Sequence, residues 1–124
     1  MARILVIDDD ETVRAALKQA LRMGNHEVIP VANGKEGIER AKTQPIDLVI
    51  CDLFMPQPDG LETIAGLREH SPQLPVIAVS GGHLGSPDML RVARELGANR
   101  VLEKPFETDE LLLMIDQALK ARPA

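Results

Sequence analysis

The chain has 124 residues, a net charge of -5 and an apolar fraction of 44%, enough for the core of one domain. The acidic balance argues against direct binding of nucleic acid, whose phosphates require basic surfaces. A single cysteine and the lack of any apolar run near the ~20 residues of a membrane span indicate a cytoplasmic protein, and we expect one domain over 1–124 with no output domain.

The first third of the chain predicts two strands, each followed by a helix. In chain order these are a strand over Arg3–Ile7, a helix over Glu11–Met23, a strand over His26–Ala32 and a weaker helix from Asn33-Gly34 through Ala41. Asp9 or Asp10 can cap the first helix. Pro30 cannot donate to a sheet ladder, so the second strand is expected at a sheet edge.

The rest of the chain repeats the alternation three times. In chain order it predicts a strand over Ile46–Cys51, a helix with Leu61, Ile64 and Leu67 inward, a strand over Leu74–Val79, a helix from Pro87 to Gly97, a strand over Arg100–Leu102 and a last helix. Ser86 and Thr108 are the expected caps of the last two helices. This alternation predicts a doubly wound, flavodoxin-like α/β fold with a five-stranded parallel sheet in the order 2-1-3-4-5.

Acidic residues follow two of the predicted strands. Asp8 and Asp9 come directly after the first strand, and Asp52 comes directly after the third. The carboxyl ends of parallel strands meet at one edge, so we expect these carboxylates to converge at the switch point between strands one and three. A divalent cation would offset their repulsion, and Mg²⁺ favours such oxygen ligands. In this arrangement Asp9 and Asp52 hold the metal, and Asp8 acts through water.

The same edge receives a hydroxyl and an amine. Ser80 ends the fourth strand and Lys104 ends the fifth. With a metal bound, a carboxylate oxygen of Asp52 can attack phosphorus and form an aspartyl phosphate. Lys104 and the metal would stabilise the charge on the phosphoryl oxygens, and Ser80 could donate a hydrogen bond to one of them.

Six motifs occur in a fixed order along the whole chain. They are Asp8-Asp9, Asp52-Leu53-Phe54-Met55-Pro56, Asp59-Gly60, Ser80, Glu95-Leu96-Gly97-Ala98 and Lys104-Pro105-Phe106. Each motif alone is weak, but the ordered set resembles the receiver domains of two-component response regulators, which share the fold of the bacterial chemotaxis response regulator.

The resemblance implies a function and a role for each site residue. It implies that Asp52 accepts a phosphoryl group from a histidine kinase or a histidine phosphotransfer protein, and that the resulting conformational change signals to a downstream protein target. Asp9, Asp52 and the backbone carbonyl of Phe54 would bind Mg²⁺. Ser80 would be the switch hydroxyl and Lys104 the phosphoryl contact, with a cis bond from Lys104 to Pro105. Such a domain catalyses only its own phosphorylation and dephosphorylation.

The chain departs from the family pattern near the fourth and fifth strands. Val101 stands where the family usually has Tyr, Phe or His, three residues before the lysine. Gly81 and Gly82 follow the switch hydroxyl, where alanine is usual at the first position. A valine cannot swing a ring, so we expect the loop from Gly81 to Ser86 to carry the conformational change.

Two other functions are possible on this fold. A phosphatase of the haloacid dehalogenase type needs an Asp-x-Asp motif after the first strand, which Asp8 and Asp10 match only superficially, and it leaves Asp52 and Lys104 unexplained. A binding module that is not phosphorylated, such as a flavodoxin-like cofactor binder, would need a hydroxyl-rich phosphate loop and stacking aromatics. The chain has no Trp or Tyr.

Residues with other reactive side chains have simpler interpretations. Cys51 precedes Asp52 in a strand, so it points to the opposite face and is expected to be a small buried residue. His26, His70 and His83 lack a metal-binding spacing, and we expect them at the surface.

Overall fold

The computed structural model describes residues 2–53, 60–81, 87–104 and 106–121, with the backbone alone for 81, 87–90 and 104. The strands are β1 (Arg3–Ile7), β2 (Glu27–Val31), β3 (Leu48–Asp52), β4 (Val76–Gly81) and β5 (Arg100–Lys104). The helices are α1 (Glu11–Met23), α2 (Gly34–Thr43), α3 (Gly60–His70), α4 (Pro87–Leu96) and α5 (Thr108–Lys120). None of these helices has both the length and the apolar composition that crossing a bilayer requires.

The five strands form one parallel sheet in the order β2-β1-β3-β4-β5. The predicted order and the predicted doubly wound fold are therefore confirmed. Pro30 lies in β2 opposite Val6. Because β2 is an edge strand with a neighbouring strand on one side only, the missing N–H of proline does not interrupt a second ladder.

Helices cover both faces of the sheet, so alternate strand residues enter two different cores. In β3, Val49 and Cys51 pack with α3 and α4, whereas Leu48 and Ile50 pack with α1 and α5. Every one of these side chains is almost completely buried. Burial of each large aliphatic side chain contributes about 1.5–3 kcal/mol. The expected burial of Cys51 as a small core residue is confirmed.

Three strands extend further toward the carboxyl edge than the apolar runs predict. β3 includes Asp52, β4 includes Ser80 and β5 includes Lys104. Sheet ladders are made by backbone groups, so pairing continues past the last apolar side chain. As a result, Asp52, Ser80 and Lys104 belong to strands instead of loops.

The helix caps are partly as predicted. Asp10 caps α1, with its Oδ1 accepting from the N–H of Thr12 at 2.9 Å and of Val13 at 3.4 Å. The prediction that Thr108 caps α5 is wrong, because the helix already begins there and Glu107 is its N-cap, without a side-chain cap bond. The carbonyl of Glu107 instead accepts from Leu111 N at 3.1 Å, which closes the first turn.

Candidate functional site

Three carboxylates converge at the carboxyl edge of β1 and β3. One oxygen from each of Asp8, Asp9 and Asp52 lies within 4.8 Å of the other two. Asp8 is 1% exposed and Asp52 is 6% exposed, whereas Asp9 faces solvent. The structure thus brings together the three acidic residues that the sequence places after two strands.

Asp8 is held on three sides. Its N–H donates to the carbonyl of Val31 at 3.2 Å, which continues the ladder between β1 and β2. Its Oδ1 accepts from the N–H of Asp10 at 2.9 Å. Its carbonyl accepts from Nη1 of Arg14 at 2.7 Å. These contacts fix the turn that leads from β1 into α1.

Asp52 is fixed by the β3–β4 ladder and by the start of α3. It lies opposite Val79, and the N–H of Leu53 donates to the Val79 carbonyl at 2.9 Å. A Cβ on Gly60 would lie 2.2 Å from the Asp52 carbonyl oxygen and 2.4 Å from Leu53 Cα. Only glycine therefore lets α3 begin this close to the Asp52 peptide.

Ser80 is a buried hydroxyl beside this site. It is 0% exposed, and its Oγ has no hydrogen-bond partner among the described residues. An unpaired buried hydroxyl costs about 1–3 kcal/mol. Val79 lies opposite Asp52 in the ladder between β3 and β4. Ser80 is the next residue of β4, so its backbone lies one position further toward the carboxyl edge. The hydroxyl can donate to a ligand that enters this edge.

The backbone of Lys104 reaches the same edge. It lies opposite Gly81, one position beyond the pairing of Ser80 with Glu103. Val101 lies opposite Ala78, half-buried against the core that contains Cys51.

Several predicted features lie outside the described residues. They are the carbonyl of Phe54, the loop residues Gly82–Ser86, the side chain of Lys104 and the bond to Pro105.

Arg14 was missed by the sequence analysis, although the residue has a signal in the sequence, since a cation in the first turn of a helix opposes the helix dipole and indicates a specific contact. Gly60 enters the sequence prediction only as part of the Asp59-Gly60 motif, which does not predict its close approach to the Asp52 peptide. A glycine that opens a helix indicates such an approach, since glycine otherwise weakens a helix.

The cluster fits a hard divalent cation. Its donors are carboxylate oxygens, the ligands that Mg²⁺ and Ca²⁺ prefer. Two of the three carboxylates are almost completely buried, where their mutual repulsion is strong without a compensating charge.

A family model and the sequence relatives of this chain agree with each other. The family model described as the response regulator receiver domain matches residues 4–116. The regulatory protein VirG of Agrobacterium fabrum is 36% identical over 124 residues, which are 100% of this chain and 48% of VirG. PhoP of Bacillus subtilis, an alkaline phosphatase synthesis transcriptional regulatory protein, is 29% identical over 95% of this chain and 48% of its own length. The chain thus spans about half the length of these relatives.

Solved structures agree with the sequence relatives. The chemotaxis protein CheY4 of Vibrio cholerae superposes with a TM-score of 0.88 at 28% identity, over 95% of this chain and 98% of CheY4. A CheY-like receiver domain protein from Methanospirillum hungatei gives a TM-score of 0.90 at 27% identity, over 97% of this chain and 94% of its own.

Proposed function

The chain belongs to the response regulator receiver domains, the phosphoacceptor modules of two-component signalling, and we propose that Asp52 is the residue that accepts the phosphoryl group. The observation that carries this proposal is the position of Asp52 at the end of a central strand, within 4.8 Å of two further carboxylates. A rigid strand end holds a nucleophile more precisely than a loop does.

The transfer needs no oxidant or reductant. A carboxylate oxygen of Asp52 attacks the phosphorus of a phosphohistidine, the new P–O bond forms as the P–N bond breaks, and the imidazole nitrogen takes a proton from solvent. Hydrolysis of the aspartyl phosphate later releases inorganic phosphate and restores the carboxylate. The domain thus acts on its own phosphoryl group and is not an enzyme toward other substrates.

We assign the metal ligands on the same basis. Asp9, Asp52 and the carbonyl of Phe54 would hold Mg²⁺, and Asp8 would act through a water. When bound, Mg²⁺ supplies positive charge that neutralises the phosphoryl oxygens. The carboxylate chemistry of the three Asp residues and the burial of Asp8 and Asp52 support their part in this assignment, and the role of the Phe54 carbonyl follows from the family resemblance.

Ser80 and Lys104 complete the proposed site. The Oγ of Ser80 is buried and has no hydrogen-bond partner among the described residues, so it is suited to donate to a phosphoryl oxygen. Lys104 ends the neighbouring strand, and its ammonium would contact the phosphoryl group.

Signalling through the proposed site requires a donor and a target. The donor would be a histidine kinase or a histidine phosphotransfer protein. The target would be a protein that distinguishes the phosphorylated form, and the net charge of -5 disfavours direct contact with nucleic acid. We expect this exchange to take place in the cytoplasm.

The proposal is tested by mass spectrometry of the intact protein after incubation with acetyl phosphate, with and without Mg²⁺. We expect a single phosphoryl adduct that requires Mg²⁺ and is absent from Asp52→Asn. The matched control is Asp116→Asn, an exposed position in α5 that undergoes the same chemical change. Labelling of Asp52→Asn at the wild-type level would refute the assignment, and continuous phosphate release without an adduct would favour a phosphatase.

A further inference from the structure

Arg14 contacts the turn that carries two of the clustered carboxylates. Its Nη1 donates to the carbonyl of Asp8 at 2.7 Å, in a partly buried contact. Its own N–H donates to the carbonyl of Asp10 at 3.0 Å, so Arg14 is in the first turn of α1. Helical side chains lean toward the helix N-terminus, and this direction brings the guanidinium back to the residue that follows β1.

The position is unfavourable for a cation unless something holds it there. The N-terminal end of α1 carries a partial positive charge, which repels Arg14. Glu11 in the same turn and Asp10 at the cap supply negative charge, but both are exposed. The short hydrogen bond to the Asp8 carbonyl is the contact that gives the guanidinium a defined place.

This contact has a direct consequence for the carboxylates. The carbonyl of Asp8 belongs to the peptide group between Asp8 and Asp9, which is planar. When its oxygen is held, the orientation of this peptide plane is fixed. The side chains of Asp8 and Asp9 project from the two Cα atoms of that plane. Among the hydrogen bonds of Asp8 described above, the one from Arg14 is the shortest, at 2.7 Å, and it is charge-assisted.

We propose that Arg14 is a positioning residue for the metal site: by holding the Asp8 carbonyl, it keeps the carboxylates of Asp8 and Asp9 in place relative to Asp52. This inference rests on the proposed metal-dependent phosphorylation. Loss of partners that orient metal ligands weakens metal binding about 10–100-fold. An effect of charge alone has the opposite sign, because removal of a cation beside carboxylates strengthens the binding of Mg²⁺.

The experiment compares Mg²⁺ affinity by calorimetry in the wild type, Arg14→Met, Arg14→Lys and Arg22→Ala. We expect Arg14→Met to weaken binding at least about threefold, since the loss of orientation outweighs the relief of repulsion. Arg14→Lys keeps the charge and one donor and should recover most of the loss. Arg22→Ala removes an exposed cation at the other end of α1 and should bind Mg²⁺ like the wild type.

Phosphorylation by acetyl phosphate gives a second measurement. In Arg14→Met the Mg²⁺ concentration for half-maximal rate should rise, while the rate at saturating Mg²⁺ stays close to that of the wild type. A purely structural defect would instead reduce the binding stoichiometry and the final extent of labelling, and circular dichroism identifies any unfolded fraction.

The outcomes separate this inference from the proposed function. If the wild type binds Mg²⁺ and Arg14→Met binds it equally or more tightly, the positioning role is wrong and the proposed function stands. If the wild type neither binds Mg²⁺ nor takes a phosphoryl group, the proposed function is wrong and this inference fails with it.

Discussion

The side chain of Arg68 in α3 lies across Gly97, the residue that follows α4. A Cβ on Gly97 would be 2.6 Å from Nε of Arg68, and Gly97 has a φ of +125°, a conformation that other residues avoid. The guanidinium donates to the carbonyl of Pro72 at 2.6 Å and to Oδ1 of Asn99 at 3.0 Å, and also to the carbonyls of Ser71 and Gly97. Burial lowers the pKa of the Arg68 guanidinium.

We expect Gly97→Ala to destabilise the protein by about 1–3 kcal/mol, because it combines backbone strain with a clash against Arg68. Arg68→Ala should cost about 2 kcal/mol through its lost hydrogen bonds. In the double variant the clash is absent. Its loss of unfolding free energy should therefore be smaller than the sum of the losses in the two single variants. Urea unfolding followed by circular dichroism measures each free energy of unfolding.

Arg94→Ala is the control for this cycle, because Arg94 is an exposed arginine in the last turn of α4. Its substitution should change the free energy of unfolding by less than about 0.5 kcal/mol. Strictly additive effects of Gly97→Ala and Arg68→Ala would contradict the clash between the two side chains.

The start of α3 gives a second prediction. Gly60→Ala should destabilise the protein by about 1–3 kcal/mol and slow its phosphorylation, because the new methyl group displaces the Asp52 backbone. Gly66→Ala in the same helix is the control, since among the described residues its Cβ would meet the flexible side chain of Ile38, with Cδ1 at 2.7 Å and Cγ1 at 3.6 Å, and no backbone. There the gain in helix propensity, about 1 kcal/mol, offsets the contact.

Acetyl phosphate labelling and urea unfolding of both variants test this prediction. Equal phosphorylation rates in Gly60→Ala and Gly66→Ala would show that the approach of α3 to Asp52 is not required for the reaction.

The sequence predicts those parts of the fold that depend on local pattern. The apolar run before Asp52 predicts β3, and Pro30 predicts the edge position of β2, because each depends on the chemistry of one segment. The sequence does not predict how far β4 continues through Ser80, since ladder pairing depends on the neighbouring strand. The contact of Arg14 with Asp8 is missed because it depends on the angle at which α1 leaves β1.

The environment of His26 is another feature that the local sequence does not predict. The expectation that it lies at the surface holds only in part, because it is half-buried and its Nδ1 accepts from the N–H of Ala2 at 3.2 Å. Partners that are 24 residues apart come together only when β1 and β2 pair. The lone histidine carries no sign of this in its own neighbourhood.

This environment predicts a pH dependence of stability. Burial, and secondly the N-terminal amino group, lower the pKa of His26 below 6.5, while Asp116 acts in the opposite direction. The folded state therefore disfavours the protonated form. The contribution of His26 to stability is complete above about pH 6.5 and is lost as the pH falls toward the folded-state pKa.

We expect this loss to be absent from His26→Asn, which keeps an acceptor oxygen but does not titrate. The measurement is the free energy of unfolding of both proteins in urea, above and below about pH 6.5. His70→Asn, which replaces an exposed histidine at the end of α3, is the control for the substitution itself. A constant difference between wild type and His26→Asn over this range would contradict the prediction.

The last prediction concerns the buried hydroxyl of Ser80, for which the described part of the chain provides no hydrogen-bond partner. Ser80→Ala should leave the stability of the free protein unchanged or raise it by up to about 1 kcal/mol, because a buried hydroxyl without a partner in the described structure is removed. With Mg²⁺ and beryllofluoride, an analogue of the phosphoryl group, the variant should gain about 1 kcal/mol less stability than the wild type. The lost hydrogen bond to the analogue is the reason.

Ser71→Ala, at the opposite edge of the sheet before β4, is the control for the same chemical change. Thermal unfolding with and without the analogue gives both quantities. A destabilised free Ser80→Ala would show that the hydroxyl already has a partner, and an undiminished gain from beryllofluoride would show that Ser80 does not contact the phosphoryl group.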